Sequence, residues 1–210
     1  MNTLTSDPRS LEERLTDTPA IDAETWRRAT AAIAQQAEAE GLIDIAFERH
    51  DSPLGPIIIA ATHEGVVRIG LPAESEDTVL DELAHRISGR VLEAPRGAVT
   101  QTRGQLDEYF EHRRTAFDVA LDWRLTAGFR RQVLSVTTQI PYGQTASYAQ
   151  VAARAGRPRA MRAAGTALAT NPLPIVVPCH RVLKSSGQLG AYRGGPDAKA
   201  RLIALEAGSP

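Results

Sequence analysis

"SYAQVAARAGRPRAMRAAGTALAT", residues 147–170, decides how the carboxyl-terminal half folds. Ser147 is a helix-capping residue type, and the spacing after it predicts a short helix that stops at Gly156. After "RP" a second helix starts, and two short helices joined at glycine read as a helix-turn-helix. The second helix is built from small residues, Ala160, Ala163, Ala164, Gly165, Ala167 and Ala169, with Arg162 projecting from among them. A helix of that kind commonly packs tightly on its own core. Beside so many arginines it also suits a groove of DNA, with Arg162 reaching between the bases.

Upstream, "TAGFRRQVLSVTTQI" places Phe129, Val133, Val136 and Ile140 three or four apart, which predicts a core helix ended by the turn "PYG". The half before Trp123 has a different texture. "LIDIAFERHDSPLGPIIIAATHEGVVRIGLP" reads as three short strands in an antiparallel meander, broken at "DSPLGP" and "HEG". Helical spacing returns in "EDTVLDELAHRIS" and in "VTQTRGQLDEYFEHR", where Leu106, Tyr109 and Phe110 share a side, and "AFDVAL" alternates as one more strand. Asp22 caps a helix with Trp26, Ala29 or Thr30, Ile33 and Ala37 on the face expected to dock on the neighbouring sheet domain. Residues 1–20 are polar and aperiodic, and are expected to form a mobile tail. The fold class is therefore α+β: an extension (1–42), a small antiparallel sheet domain with helices (43–123), and a mostly helical helix-turn-helix domain (124–210).

The net charge of −1 conceals a division: residues 1–123 hold 12 Lys+Arg against 23 Asp+Glu, and residues 124–210 hold 12 against 2. A basic carboxyl-terminal half attracts a polyanion, or serves as the seat of the acidic half; charge alone leaves both open. With 42% hydrophobic residues in 210, the chain buries a real core. No apolar run matches a secretory signal or a membrane span, so a cytoplasmic protein is expected. His50, His63, His85 and His112 lack paired spacing, and nothing in the first half looks catalytic.

The only cysteine stands in "IVVPCHRVL", residues 175–183, which otherwise reads as buried strand. A thiol is a nucleophile as thiolate, and adjacent His180 is a candidate base. Neighbours in a strand point to opposite faces, so Cys179 and His180 meet only if the chain turns between them, as Pro178 permits, or through a water. A lone buried cysteine is also commonly a small hydrophobe.

"PCHRV", preceded by "NPLPIVV" and followed by "SSGQLGAYRGG", closely resembles the O6-alkylguanine-DNA alkyltransferases, also called methylated-DNA–protein-cysteine methyltransferases. The resemblance covers most of residues 126–207, including "IPYGQTASYAQVA" and "LIALEAG", and "SPLGPIIIAA" fits the family's more variable amino-terminal domain. It implies that Cys179 accepts the alkyl group of O6-alkylguanine, with O4-alkylthymine a further candidate, irreversibly and once per chain. His180 then takes the thiol proton through a water, Glu206 orients and charges that histidine, Tyr148 donates to the leaving guanine, and Asn171 ties the loop of the cysteine to the recognition region. Arg162 replaces the extruded base, with Ala163, Arg159, Arg181 and Tyr148 also at the DNA. Tyr192, Arg193, Val182 and Gly194 surround the base.

The implied partner is duplex DNA carrying O6-alkylguanine, bound through the minor groove by a monomer, with cooperation between copies left open. No cofactor is implied, and with no second cysteine the chain cannot reproduce the zinc site of the family's animal members. Non-catalytic relatives replace the acceptor cysteine, usually by tryptophan, whereas Cys179 is present. Two other readings compete: a non-catalytic DNA-damage sensor or regulator, and a thiol hydrolase with multiple turnovers.

Overall fold

In the computed structural model, which describes residues 22–208, the meander forms as the sequence predicts. β1 (Ile45–Ser52), β2 (Gly55–Thr62) and β3 (Gly65–Gly70) pair antiparallel in sequence order. A short β4 (Val91–Glu93), absent from the sequence reading, pairs parallel with β1 and completes the order β3-β2-β1-β4. Three residues carry too little periodicity to announce a strand.

β2 is buried on both faces, and its alternation feeds two packings. Ile57, Ile59 and Ala61 join Val99, Leu106 and Tyr109 of one helix, while Ile58 and Ala60 join Val79 and Leu83 of another. The sheet thus lies between α3 (Gly97–Phe110) and α2 (Glu76–Arg86). Ser75 caps α2, with acids in its first turn and His85 and Arg86 in its last, the polarity that a helix dipole favours.

Two expectations for this half are corrected. "AFDVAL" is not a strand; Leu121 alone makes a bridge, to Val66, because the edge of β3 is met only there. The first helix, α1 (Ala23–Ala39), does start at the Asp22 cap, but Trp26 and Ile33 are 62% and 66% exposed. Of the predicted face Ala37 does pack on the core, joined by Ala34 in place of Trp26 and Ile33, since small side chains allow close approach, and Arg96 reaches across to Glu38. The tail predicted for residues 1–20 lies outside the described residues.

The helix-turn-helix is present. α4 (Gly128–Thr137) packs against α5 (Tyr148–Arg154) and α6 (Met161–Ala169) through Val133, Leu134, Val151, Ala164, Ala167 and Leu168. Ser147 and Gln150 form a reciprocal capping box on α5. Gly156 turns the chain at φ +79°, a conformation that costs any residue with a Cβ. One side of α6 packs inward on the core, while Arg162, Ala163 and Thr166 on the other side are exposed. The final helix, α7 (Gly195–Glu206), closes the chain. Sheet and helical parts share one apolar core, running from Ile57 and Leu71 to Val177 and Leu202.

Candidate active site

The run around the cysteine is not a strand, except for β6 (Val182–Leu183). Residues 179–181 form a 3-10 turn after Pro178, so the chain does turn between the thiol and the imidazole. Ile175 is held at φ +73°, in the left-handed region that a β-branched side chain avoids, and such strain persists only where surrounding packing fixes it. β6 pairs in parallel with β5 (Ala146–Ser147), the two residues that lead into α5. This short ladder sets Tyr148, the first residue of α5, beside the cysteine turn.

Cys179 is 2% exposed, and burial pushes its pKa up to about 11. Asn171 opposes that shift, its Nδ2 donating to Sγ at 3.1 Å and to the carbonyl of Val177 at 2.9 Å. The Asn171 carboxamide oxygen accepts from Leu173 N–H, so this fully buried side chain stitches the end of α6 to the cysteine turn.

His180 is buried, with Nε2 2.8 Å from Glu206 Oε1, while Nδ1 has no hydrogen-bond partner among the described residues. Burial lowers the His180 pKa below its usual value, against the pull of Glu206. With Nε2–H donating to the carboxylate, Nδ1 carries the free lone pair of a base. Burial also acts to raise Glu206, but donors from His180, Arg181 and Tyr109 outweigh it and hold the carboxyl at about 2. Those donors are Arg181 Nε at 2.9 Å and Tyr109 Oη at 2.7 Å, joined by Gly143 N–H at 3.1 Å.

Arg181 is therefore corrected: it is buried on Glu206 and on the carbonyl of Ile140, and does not face DNA. An arginine in an apolar run needs a carboxylate, and residues 124–210 contain only Asp197 and Glu206, a signal that the sequence did carry. Tyr109, expected only on one helix side with Leu106 and Phe110, has its ring in the core, and its hydroxyl donates to Glu206 from the half in which nothing looked catalytic.

Tyr148 is half-buried, and burial raises its pKa. Its ring is in ordinary contact range of Gly165, while a Cβ on Gly190 would collide with its hydroxyl. Gly190, missed in the sequence, thus leaves the room that Tyr148 Oη occupies. Lys199, also missed, is fully buried, donates from Nζ to the carbonyl of Val182 at 2.6 Å, and stands 5.9 Å from the Tyr148 ring centre. A lysine at helical spacing on α7 gives no sign in sequence of pointing inward.

A depression of about 340 Å³ is lined by Tyr148, Met161, Arg162, Gly165, Lys184, Gly190 and Ala191. Of the four residues predicted around a base, none lines it: Val182 and Tyr192 are buried, Gly194 abuts Leu71, and the Arg193 side chain turns away to Glu74 and Glu82. Tyr192 stacks edge-on to His180 at 6.4 Å between ring centres. Arg159, Arg162 and Ala163 are exposed on the helix-turn-helix, as expected. Among the described residues no cluster of three His, Cys, Asp or Glu side chains is placed to hold a metal, and none of the helices is long and apolar enough to cross a membrane.

Residues 128–208 match the model of the 6-O-methylguanine DNA methyltransferase DNA binding domain, and residues 39–123 that of the ribonuclease-like domain of the same family. The chain is 38% identical over 157 residues to a methylated-DNA–protein-cysteine methyltransferase of Mycobacterium leprae, covering 74% of this chain and 88% of that protein. A protein of the same name from Mycolicibacterium paratuberculosis is 39% identical over 165 residues, covering 77% and 92%. A crystal structure of Mycobacterium tuberculosis OGT in complex with DNA superposes with a TM-score of 0.68 at 34% identity, over 79% of this chain and 95% of that one.

Proposed function

This chain belongs to the 6-O-methylguanine DNA methyltransferase family, and from that premise we propose that it repairs DNA by moving an alkyl group from O6-alkylguanine in a duplex to Cys179, once per chain. The observation that carries the assignment of residues is the chain of contacts from Asn171 to Cys179 and, in the same turn, from His180 to Glu206.

The proposed step is a displacement at carbon. Cys179 Sγ forms a bond to the alkyl carbon as the carbon–O6 bond breaks, and the electron pair of that bond passes to guanine. The thiol proton passes to His180 Nδ1, through a water, and the resulting imidazolium is stabilised by the Glu206 carboxylate. Tyr148 donates to the guanine as charge develops on it. The product is a thioether, which water does not hydrolyse, so the chain acts as reagent as well as catalyst. A buried thiol at about 11 is almost wholly protonated at neutral pH, which makes a neighbouring base necessary.

Arg162, Arg159 and Ala163 are assigned to the duplex, and Arg162 to the space left by the extruded base. Tyr192, Gly194 and the backbone at Arg193 are assigned to the pocket loop, and the division at residues 43–123 and 124–210 to two domains. The protein is assigned to the cytoplasm, as a monomer.

The test is Cys179→Ala. Transfer to the protein should vanish while binding to an O6-methylguanine duplex stays within about threefold of the native chain, as expected if the thiol contributes chemistry and not affinity. Residual transfer in this variant, or repeated turnover by the native chain, would contradict the assignment.

A further inference from the structure

Arg68 of β3 is 0% exposed, a buried guanidinium in the half of the chain that holds no proposed acceptor residue. It is paired with Glu74 and with Glu82, and also donates to the carbonyl of Ile69. The same two carboxylate oxygens each take a second guanidinium, that of Arg193: Nε lies 2.5 Å from Glu74 Oε1, and Nη2 lies 3.0 Å from Glu82 Oε2. Two arginines and two glutamates thus form a closed ring of alternating charge across the seam between sheet and helical parts. Arg86 sits on the outer oxygen of Glu82.

Arg193 is not a free end. Its backbone joins Tyr192, whose ring meets His180, to Gly194, where a Cβ would come within 2.7 Å of Leu71. Its Nη1 also donates to the carbonyl of Thr170, the residue before Asn171, at 3.3 Å. One side chain therefore touches three things: the acid pair on the sheet part, the end of α6, and, through its own backbone, the segment packed on the histidine. Leu71 and Glu74, in the turn after β3, grip that segment at two adjacent residues.

We propose that Arg193, held by Glu74 and Glu82 with Arg68 behind them, is a positioning residue for alkyl transfer, and that the sheet part of the molecule acts in the reaction by fixing residues 192–194 against His180. A guanidinium that bridges two partly buried carboxylates, one nitrogen on each, fixes direction as well as charge for the segment that carries it. The two glutamates alone would repel each other. Arg68 pairs with them from the sheet side, and the same two oxygens receive Arg193 from the helical part. This inference rests on the assignment of alkyl transfer to Cys179.

The experiment is single-turnover methyl transfer from an O6-methylguanine duplex, with the rate at saturation separated from the Kd of the complex. Arg193→Ala is a mild change for the fold because Arg68 still pairs both carboxylates. It should lower the saturating rate by about tenfold to a hundredfold, the penalty typical of reacting groups displaced by a fraction of an ångström to an ångström, and leave Kd within about threefold. Arg193→Lys should recover part of the rate, and amide hydrogen exchange at residues 191–194 should quicken in the Ala variant. Glu74→Gln, which keeps the shape of the turn, should show the same split between rate and affinity. A native saturating rate in Arg193→Ala or Glu74→Gln would overturn the proposal. So would a loss that tracks the melting temperature, because that is the behaviour of a merely structural contact. A native chain that takes up no methyl overturns both this inference and the functional assignment, whereas native transfer with an unaffected Arg193→Ala overturns the inference alone.

Discussion

His180 and Glu206 titrate in a way that sets how the reaction responds to acid. Burial keeps the imidazole neutral at pH values below 6.5, and Glu206, at about 2, stays ionised throughout. Because the proton moves from Cys179 to His180 inside the site, the rate should be flat with pH between the His180 pKa and the thiol's value of about 11. On acidification it should fall only below 6.5, as His180 takes a proton from solvent. Stability takes a different course. The unfolded histidine protonates first, near 6.5, so stability begins to decline there, and the contribution of Glu206 is complete above 4.5 and is lost as pH falls toward about 2. Transfer rates per folded chain across this range check the prediction; a midpoint at 6.5 would mean an ordinary, solvated histidine. At this scale the sequence was most legible where the chemistry is intrinsic to the residue: a thiol, an imidazole and a carboxylate announce themselves. The partner of Arg181 was legible in composition, since residues 124–210 hold only two acids, whereas Tyr109 faces Glu206 across 97 residues, which spacing along a chain does not reveal.

Elements set the distances between those residues. The β5–β6 ladder brings the start of α5 to the cysteine turn, and the end of α6 delivers Asn171 to the same place. Tyr148 can stand between α6 and the 190–191 segment only because Gly190 has no side chain; at Gly165 a Cβ would make no more than ordinary contact with the ring. Gly190→Ala should therefore force Tyr148 aside, destabilising the fold by about 1–3 kcal/mol, as overpacking typically does, and slowing transfer with it. Thermal melts and single-turnover rates measure both, and an unchanged pair of values would contradict the packing described. Helices with side-chain caps, such as α2 and α5, were legible within a few residues, and α6 through its run of small residues after the glycine turn. The cysteine segment was not, because its branched residues imitate a strand while Pro174, Pro178 and the local turns prevent one. The docking face of α1 failed for a related reason: hydrophobicity favours Trp26 and Ile33, but fit favours Ala34.

Across the whole molecule, the arginines of the basic half divide into those that seat the acidic half and those left exposed. Arg193 is consumed internally by Glu74 and Glu82, and Arg201 by the carbonyl of Pro53, so part of the basic half does seat the acidic one. Arg131, Arg154, Arg157, Arg159 and Arg162 stay exposed around the helix-turn-helix. If four of these meet phosphates, affinity for duplex DNA should fall with salt at a log–log slope of about −4, and a flat dependence would contradict the electrostatic reading. The shared apolar core was beyond reach of the sequence, since a boundary near Trp123 is visible in composition while contacts across it are not.

Whether one thiol receives one alkyl group is read by intact-protein mass spectrometry after incubation with excess O6-methylguanine duplex, followed by peptide mapping. The expected result is the added mass of a single methyl group per chain, saturating there and located on Cys179. No added mass with DNA binding retained, or a methyl group mapped to another residue, would contradict it.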